Sequence, residues 1–318
     1  MNRKVLFIGL GAGLAVGLLA LWVAGQAAGA GNTVVRYDRE SKYYRIRVVD
    51  YLNEGRRCLQ FSRSRGIQSS MILGEPDQLD LRYSRSMVAA LALHPAPKQV
   101  LLVGLGGGSI PKFIQKHFPD LHLDIVELDP DIVKVCQEFF QFKAAASTRV
   151  IVMDGRMYLK RSSQTYDVIL LDAYAGDRVP FHLTTLEFVQ LVKSRLNTGG
   201  LAASNLWEPA ANRFFHAELK TYQMTFPQTY LFKCGTSGNF IVFGSLADQA
   251  TTANEWANRA KTLAAGKVFG FSLASLVRSE YMRLADLRIA EQPLTDDKAP
   301  VDTLRHESPQ GFEEGQPP

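Results

Sequence analysis

The stretch VLLVGLGGGS at positions 100–109 decides the fold of this 318-residue chain. Val100–Val103 is a continuous apolar run that ends at a glycine, which is typical of a strand buried on both faces. The turn Gly104–Gly108 carries few Cβ atoms, so a ligand can approach its backbone closely. The helix expected after it offers unpaired N–H groups at its first turn. The stretch therefore predicts a strand, a ligand-binding turn and a helix in succession.

Apolar segments continue to alternate with stretches of helical spacing toward the C-terminus. Four further strands are predicted at Leu123–Val126, Val150–Met153, Val168–Leu171 and Leu201–Asn205. Short apolar strands separated by helices predict a parallel sheet that is covered on both faces. The last two strands, Thr229–Phe232 and Asn239–Phe243, are separated by a gap too short for a crossover helix, so one antiparallel strand is expected. Residues 250–290 are predicted to be helical.

The composition divides the chain into four predicted segments. They are an N-terminal hydrophobic helix in 1–32, a small β-rich cap over 33–96, a Rossmann-like domain over 97–304 and a disordered tail over 305–318. The cap is predicted from the alternating strand Tyr44–Val49 and its hairpin partner Arg57–Phe61.

The N-terminal segment is predicted to associate with a membrane. The nineteen residues Val5–Val23 are almost wholly apolar, which is close to the ~20 residues that span a bilayer as a helix. An uncleaved single-span anchor in the inner membrane is favoured. The alternative is a removed signal segment, because Ala28–Ala30 resembles a cleavage site. More basic residues follow the span than precede it, which favours a cytoplasmic globular part over a periplasmic or secreted one.

Composition also narrows the classes of function. The net charge is +5, but the Lys and Arg residues are scattered, whereas nucleic-acid binders gather them on one face. The three cysteines, Cys58, Cys136 and Cys234, lie far apart and show no CxxC spacing. Neither nucleic-acid binding, nor a disulfide framework, nor a metal site is therefore expected.

Acidic residues stand at the ends of the next two predicted strands, where open parallel sheets bind ligands. Glu127 follows Gly104 by 23 residues, the separation at which a carboxylate accepts hydrogen bonds from ribose hydroxyls. Asp154 is placed to bind an adenine amino group; alternatively, it caps the following helix. Ser109 occupies the third glycine position of GxGxxG, which favours a nucleoside with a sulfonium tail over a dinucleotide.

Asp172 ends the fourth predicted strand and precedes a long loop over the expected site. Its carboxylate could take a proton from an attacking amine, or hold that amine by a charged hydrogen bond. The alternative is a structural role at the strand end. Asp177 and His182 lie in the loop, where surface roles are an equal alternative.

These residues resemble a known family. From about Val35 to Leu304, the chain is similar to the spermidine synthase (polyamine aminopropyltransferase) family, especially its divergent, often membrane-attached bacterial members. The glycine turn matches the family's GGGDGG, Val126–Asp129 its ribose-binding V-E-I-D, and Asp154-Gly155 its adenine-binding D-G. Further matching segments are Ser41–Ile46, Tyr166–Asp172, Pro180–Thr185 and Leu294–Val301.

The resemblance implies an α/β Rossmann sheet of the S-adenosylmethionine-dependent methyltransferase type, with 97–304 as a nucleoside-binding catalytic domain. It implies decarboxylated S-adenosylmethionine or S-adenosylmethionine as co-substrate, a small-molecule amine as second substrate, and a homodimer. The catalytic residue is then Asp172, the cofactor-binding residues are Gly104, Gly106, Gly107, Gly108, Glu127, Asp154 and Gly155, and the substrate-binding candidates are Tyr43, Tyr83, Tyr174, Asp177 and His182.

The chain departs from the family pattern around the amine. The aspartate of GGGDGG is Gly107 here, the second acid of the D-S-x-D motif falls at Ala175, and the Y-H-E segment reads Tyr83-Ser84-Arg85. An unpaired buried ammonium is costly, so the loss of these carboxylates predicts that the nucleoside half of the pocket is retained and the amine half is not. Arg85 is expected to have entered the amine half.

Three functions remain open from the sequence. The first is aminopropyl transfer, with Asp172 orienting and deprotonating the amine. The second is methyl transfer from the carboxylated cofactor, because the missing side chain at Gly107 makes room for a ligand carboxylate. The third is a non-catalytic module that binds an adenosyl nucleoside, or only a partner, at the membrane.

Overall fold

The computed structural model describes residues 32–61, 66–173 and 179–298. The segments on which the predictions of the N-terminal anchor and the C-terminal tail rest lie outside these residues, as do the site candidates Tyr174 and Asp177. None of the helices in the described ranges has the length and apolarity needed to cross a bilayer.

The first part of the chain forms a small antiparallel sheet. Its strands are β1 (Thr33–Glu40), β2 (Arg45–Tyr51), β3 (Arg56–Phe61) and β4 (Ile67–Ile72), in the order β1-β2-β3-β4. The residues of β2 alternate between the two faces of this sheet. Val48 is fully buried opposite Leu59, whereas Arg45 and Arg47 form ion pairs with Asp38 of β1. Strands β1 and β4 were not predicted, because their polar residues hide the alternation.

The second part forms a large mixed sheet. Its strands are β5 (Gln99–Val103), β6 (His122–Glu127), β7 (Thr148–Val152), β8 (Tyr166–Leu171), β9 (Leu196–Trp207), β10 (Gln228–Lys233), β11 (Asn239–Ser245) and β12 (Tyr281–Arg283). They follow the order β12-β10-β11-β9-β8-β5-β6-β7. The helices are α1 (Arg82–Met87), α2 (Ala90–Leu93), α3 (Ser109–His117), α4 (Pro130–Phe139), α5 (Gly155–Arg161), α6 (Leu186–Ser194), α7 (Phe215–Thr225), α8 (Ala253–Leu263) and α9 (Leu273–Glu280).

Strand β5 lies inside this sheet, and its alternate residues enter different hydrophobic cores. Val100 and Leu102 pack into the core on one face, and Leu101 and Val103 into the core on the other. Because both faces are covered, the strand reads as a continuous apolar run. The ladders that join β5 to β9 are all parallel, which confirms the predicted parallel α/β arrangement and brings the carboxyl ends of these strands to one edge.

The expectation of one antiparallel strand is wrong in number. Strand β11 runs antiparallel to both β9 and β10, as the short connection predicted, but β12 also runs antiparallel to β10 at the sheet edge. Helix α9 ends at Glu280, whose buried carboxylate is bound by Arg82 and Ser86 of α1. Tyr281 then pairs with Phe232 of β10. These tertiary contacts outweigh the helical periodicity of 250–290.

Candidate active site

A cavity of about 410 Å³ opens at the carboxyl ends of the parallel strands. Its roof comes from the small sheet and from α1, and its floor from residues that follow the strands of the large sheet. The floor contains Gly104, Glu127, Asp154, Asp172, Asn205 and Glu208. Five of these six residues carry a carboxylate or a carboxamide side chain at or just after a strand end, which is the position where open α/β sheets bind ligands.

The glycine turn forms the cavity wall after β5. Gly104 has a φ of 100°, and a Cβ on it would lie 2.3 Å from the carbonyl oxygen of Asp172, so only glycine fits there. Gly106 also lines the cavity, whereas Gly107 and Gly108 lie buried behind the wall. A Cβ on Gly107 would lie 2.8 Å from Oγ of Ser69. The Ser69 side chain therefore fills the space that the sequence left open beside Gly107.

Glu127 is buried at the end of β6 and ties two loops together. Its carboxylate accepts the N–H of Leu105 in the glycine turn at 2.8 Å and the N–H of Asp129 at the start of α4 at 2.9 Å. Burial raises the pKa of Glu127, although both N–H groups favour the ionised form. A carboxylate offers about four acceptor positions, so Glu127 can bind hydroxyl groups in the cavity as well.

Asp154 caps α5 and also faces the cavity. Its Oδ1 accepts the N–H of Met157 at 2.9 Å, which is the capping bond that the sequence left as an alternative. Its Oδ2 lies 2.9 Å from Nε2 of His182 in the opposite wall. Gly155 is buried against Val103, where a Cβ would lie 2.5 Å from a methyl carbon. The capping role therefore leaves the second oxygen of Asp154 at the cavity.

Asp172 lies at the centre of the floor, directly after β8. Nδ2 of Asn205 donates to Oδ1 of Asp172 at 2.9 Å, and the hydroxyl of Tyr83 lies within hydrogen-bonding reach of the same carboxylate. Burial raises the pKa of Asp172 from 3.8 to about 7, and the two hydrogen bonds limit this rise. The Tyr83 hydroxyl also lies 3.2 Å from the carbonyl oxygen of Gln68, so the roof contacts the floor at Asp172. A carboxyl group with this pKa can exchange a proton near neutral pH.

Glu208 is a cavity residue that the sequence interpretation missed. It follows β9 directly and faces the cavity next to Trp207, with Oε1 beside Gly238. The signal was available, because Glu208 is an acidic residue after an apolar strand, as Glu127 is. It was overlooked because the strand was expected to end at Asn205, whereas β9 continues to Trp207.

The structure brings Tyr83 and His182 to the cavity but not Tyr43. The Tyr43 side chain is 41% exposed, and the neighbouring Tyr44 lines the cavity instead, stacked on Phe61 with ring centroids 4.2 Å apart. Burial and the negative charge of Glu127 raise the pKa of Tyr44. Tyr44 therefore lies near the carboxylate at the end of β6.

The prediction that Arg85 enters the amine half is wrong. Its guanidinium donates to the carbonyl oxygen of Leu79 at 2.8 Å and lies over the ring of Phe271, outside the cavity lining. Arg82, one helical turn earlier, lines the cavity, and it forms an ion pair with the buried Glu280 at 2.6 Å. The positive charge that Arg82 brings to the cavity is thus partly neutralised by Glu280 at the end of α9.

No group of three His, Cys, Asp or Glu side chains in the described part of the chain is arranged to hold a metal ion. The fold and the strand-end residues define the class of this protein as a methyltransferase-like Rossmann fold with a small antiparallel sheet in front.

Comparison with known proteins gives the family. Residues 81–236 match the spermine/spermidine synthase domain. The chain is 33% identical over 223 residues to the polyamine aminopropyltransferase of Vibrio vulnificus (strain CMCP6), covering 68% of this chain and 73% of that relative. The chain therefore belongs to the spermine/spermidine synthase family. Other relatives named polyamine aminopropyltransferase align over 56% to 61% of their own length.

Two solved structures support the fold. A probable spermidine synthase from Corynebacterium glutamicum ATCC 13032 superposes with a TM-score of 0.64 at 21% identity, covering 89% of this chain and 99% of that one. A spermidine synthase in complex with the transition-state analogue AdoDATO superposes with a TM-score of 0.57 at 20% identity, covering 68% of this chain and 74% of that one.

Proposed function

We propose that this chain is a transferase that moves an aminopropyl group from decarboxylated S-adenosylmethionine to an amine acceptor. The observation that carries the proposal is the position of Asp172. Its half-buried carboxyl group lies between the acids Glu127 and Asp154 on one side and Glu208 on the other, and its pKa is about 7. Family membership supports the same reaction class.

The donor half of the site fits an adenosyl group. The Gly104–Gly106 turn presents backbone rather than side chains to the cavity. Glu127 is held rigidly by two backbone N–H groups, so its remaining acceptor positions are fixed toward the ribose hydroxyls. Oδ2 of Asp154 is oriented because Oδ1 caps α5, and it accepts from the adenine amino group or from His182. When bound, the donor supplies an electrophilic propyl carbon next to a sulfonium leaving group.

Asp172 acts as the base in this proposal. The amine nitrogen bonds to the propyl carbon, the carbon–sulfur bond breaks with its electron pair on sulfur, and the nitrogen's proton goes to Asp172. Asn205 and Tyr83 hold the carboxyl group in one orientation. Alignment of the amine with the propyl carbon then supplies much of the acceleration.

The acceptor half retains more negative charge than the sequence suggested. Asp172 and Glu208 both line the cavity, as does Trp207, which directly precedes Glu208 in the chain. A diamine that places one nitrogen at Asp172 can pair its second, ammonium end with Glu208. Because Glu208 is exposed to solvent, this contact contributes specificity more than affinity.

Methyl transfer is the less favoured reaction. It was kept open because Gly107 was expected to leave room for a ligand carboxylate, but the Ser69 hydroxyl occupies that space. A non-catalytic role is also less favoured, since a structural residue at a strand end does not require a carboxyl group in a cavity with a pKa of about 7.

Membrane attachment through the apolar N-terminal segment, a cytoplasmic globular part and a homodimer stay predictions. The support for attachment is the uncharged run from Val5 to Val35. If the anchor is correct, the full chain stays in the membrane pellet after alkaline carbonate extraction, whereas a variant that starts at Asn32 appears in the soluble fraction. Release of the full chain by carbonate contradicts the anchor.

The reaction is tested by calorimetry with decarboxylated S-adenosylmethionine, S-adenosylmethionine and methylthioadenosine. The proposal expects binding of the decarboxylated donor in preference to the carboxylated one, and turnover with a diamine that releases methylthioadenosine. The Asp172→Asn variant should lose turnover while the affinity for methylthioadenosine stays within about threefold. Asp131→Asn, on the surface of α4, is the control with the same chemical change. No heat with any of the three ligands contradicts the proposal.

A further inference from the structure

Pro180, His182 and Leu183 form the cavity wall that faces Asp154. We call residues 180–185 the His182 wall. Its regular structure is one 3-10 turn, Phe181–Leu183, which ends before α6. A turn of this length has few internal hydrogen bonds, so its position depends on contacts with other segments.

Arg156 is the first such contact. It lies on α5, two residues after Asp154, and its side chain is only 12% exposed. Its guanidinium donates to the carbonyl oxygen of His182 at 3.0 Å. It also contacts both carboxylate oxygens of Asp296, with NH1 2.8 Å from Oδ1. Two-pronged pairs of this kind fix the orientation of both partners.

Asp296 binds the same wall from the C-terminal side. Its Oδ1 accepts a hydrogen bond from Oγ1 of Thr185 at 2.8 Å, and its N–H donates to Oε2 of Glu187 at 3.0 Å. The N–H of Leu186 donates to the carbonyl oxygen of Leu294 at 2.7 Å. Arg156 lowers the pKa of Asp296 to about 2, so the pair is ionised throughout the working pH range.

These contacts close a ring around the base end of the nucleoside site. This series of contacts runs from Asp154 to the imidazole of His182, and from the carbonyl oxygen of His182 to Arg156. It continues from Arg156 through Asp296 to Thr185. We propose that the Arg156–Asp296 pair positions His182 against Asp154 and thereby shapes the subsite for the adenine of the donor. Arg156 and Asp296 are positioning residues in this proposal, which rests on the proposed adenosyl donor.

Removal of Asp296 has a specific consequence for Asp154. Arg156 would be a largely buried cation without its main partner, which is unfavourable. Glu187 and Asp154 are the other carboxylates that act on it electrostatically. The guanidinium would therefore move toward these groups and compete with the ligand for Asp154, and His182 would lose the hydrogen bond to its carbonyl oxygen.

The test compares Asp296→Asn with Asp297→Asn, which changes the neighbouring exposed aspartate of the same turn. Asp296→Asn should raise the dissociation constant for methylthioadenosine about tenfold, the size of one charge-assisted hydrogen bond, and Asp297→Asn less than about twofold. The KM for the diamine should stay within about twofold in both variants. Asp296→Glu should recover part of the affinity, because it restores the charge.

Hydrogen exchange gives a second readout that needs no ligand. The amide of Leu186, which is bonded to Leu294, should exchange faster in Asp296→Asn than in Asp297→Asn. Unchanged nucleoside affinity in Asp296→Asn, with wild type binding normally, overturns the positioning role and leaves the proposed function standing. If Asp296→Asn weakens donor binding, raises the diamine KM to a similar extent and also lowers the thermal midpoint, the effect is a general structural one and the positioning role is overturned. Failure of wild type to bind any adenosyl nucleoside overturns both proposals.

Discussion

The side-chain amide of Asn205 is fixed between two partners and points its N–H at Asp172. Nδ2 of Asn205 lies 2.9 Å from Oδ1 of Asp172, and Oδ1 of Asn205 accepts from Nδ2 of Asn239 at 3.0 Å. The end of β9 and the start of β11 therefore both act on the carboxyl group at the end of β8. The hydrogen bond favours the ionised form and opposes the effect of burial on the pKa of Asp172.

The first prediction follows from this contact. Asn205→Ala removes a donor to the ionised carboxylate, so the pKa of Asp172 should rise above about 7. The acidic limb of the kcat/KM profile should then move to higher pH by about one unit, since one such hydrogen bond is worth about 1.5 kcal/mol. The profile is measured with saturating donor. Asn239→Ala removes the donor to Oδ1 of Asn205 and leaves the Asn205–Asp172 contact in place, so it should shift the limb in the same direction by less. An unmoved limb in Asn205→Ala would mean that another group is the base.

The second prediction concerns the stability of the Asp172→Asn variant. The folded pKa of Asp172 is about 7, above its ordinary value of 3.8, so the folded protein prefers the protonated form. The stability that this group contributes is present below its unfolded pKa and is lost as the pH rises through about 7. The neutral amide in the Asp172→Asn variant does not ionise, so the variant does not lose stability from this position as the pH rises.

Asp172→Asn should therefore unfold in urea at about the same concentration as wild type at acidic pH and at a higher concentration at alkaline pH. One pKa unit corresponds to about 1.4 kcal/mol, and partial exposure reduces the full shift, so a gain of about 1–2 kcal/mol is expected. Asp131→Asn on the surface should show no such pH-dependent gain. A variant that is less stable than wild type at alkaline pH would show that Asp172 is structural.

The floor of the site was more accessible to sequence analysis than its roof. Glu127, Asp154 and Asp172 line one cavity, because acidic residues after apolar parallel strands meet at one sheet edge, and their roles in binding and catalysis stay predictions. The roof depends on which face of the small sheet each side chain occupies. A shift of one residue exchanges Tyr43 for Tyr44, and the local pattern does not reveal that register.

Long-range contacts were inaccessible for a different reason. Arg156 and Asp296 are 140 positions apart, and no sequence motif around either residue predicts that it pairs with the other. Their pairing depends on how the segment after β12 returns to α6, which periodicity does not determine. The placement of Arg85 failed similarly, because carbonyl groups before α1 and the ring of Phe271 hold its side chain away from the cavity.

The third prediction uses two glycines that share a positive φ. Gly104→Ala places a Cβ 2.3 Å from the carbonyl oxygen of Asp172, so the turn and the catalytic strand end must move apart. Gly266 has a φ of 73°, but a Cβ added to it would meet no atom within 4 Å. Gly266→Ala therefore reports the effect of backbone strain alone. Gly266→Ala should cost about 1–2 kcal/mol of stability and leave kcat unchanged.

Gly104→Ala should cost more stability than Gly266→Ala and should lower kcat at least about tenfold, because a small misplacement of the base weakens catalysis strongly. Urea unfolding and steady-state kinetics on both variants provide the comparison. If both variants lose equal stability and both keep wild-type kcat, the close approach of Gly104 to Asp172 has no role in positioning the base.

The fourth prediction separates the two halves of the cavity. Glu208→Gln removes the negative charge at the end of β9 while keeping the size of the side chain, and Glu127→Gln does the same at the end of β6. If Glu208 binds the far ammonium of a diamine, Glu208→Gln should raise the KM for the diamine about threefold to tenfold, because the pair is exposed to solvent and screened. The affinity for methylthioadenosine should not change.

Glu127→Gln should show the opposite pattern, with weaker methylthioadenosine binding and a diamine KM close to wild type at saturating donor. The exposed Glu138→Gln on α4 is the control for the loss of one negative charge. Added salt gives a further check, because screening should raise the wild-type KM for the diamine toward that of Glu208→Gln and leave the variant nearly unaffected. A Glu208→Gln enzyme with unchanged diamine KM and unchanged salt dependence would place the second amine elsewhere in the cavity.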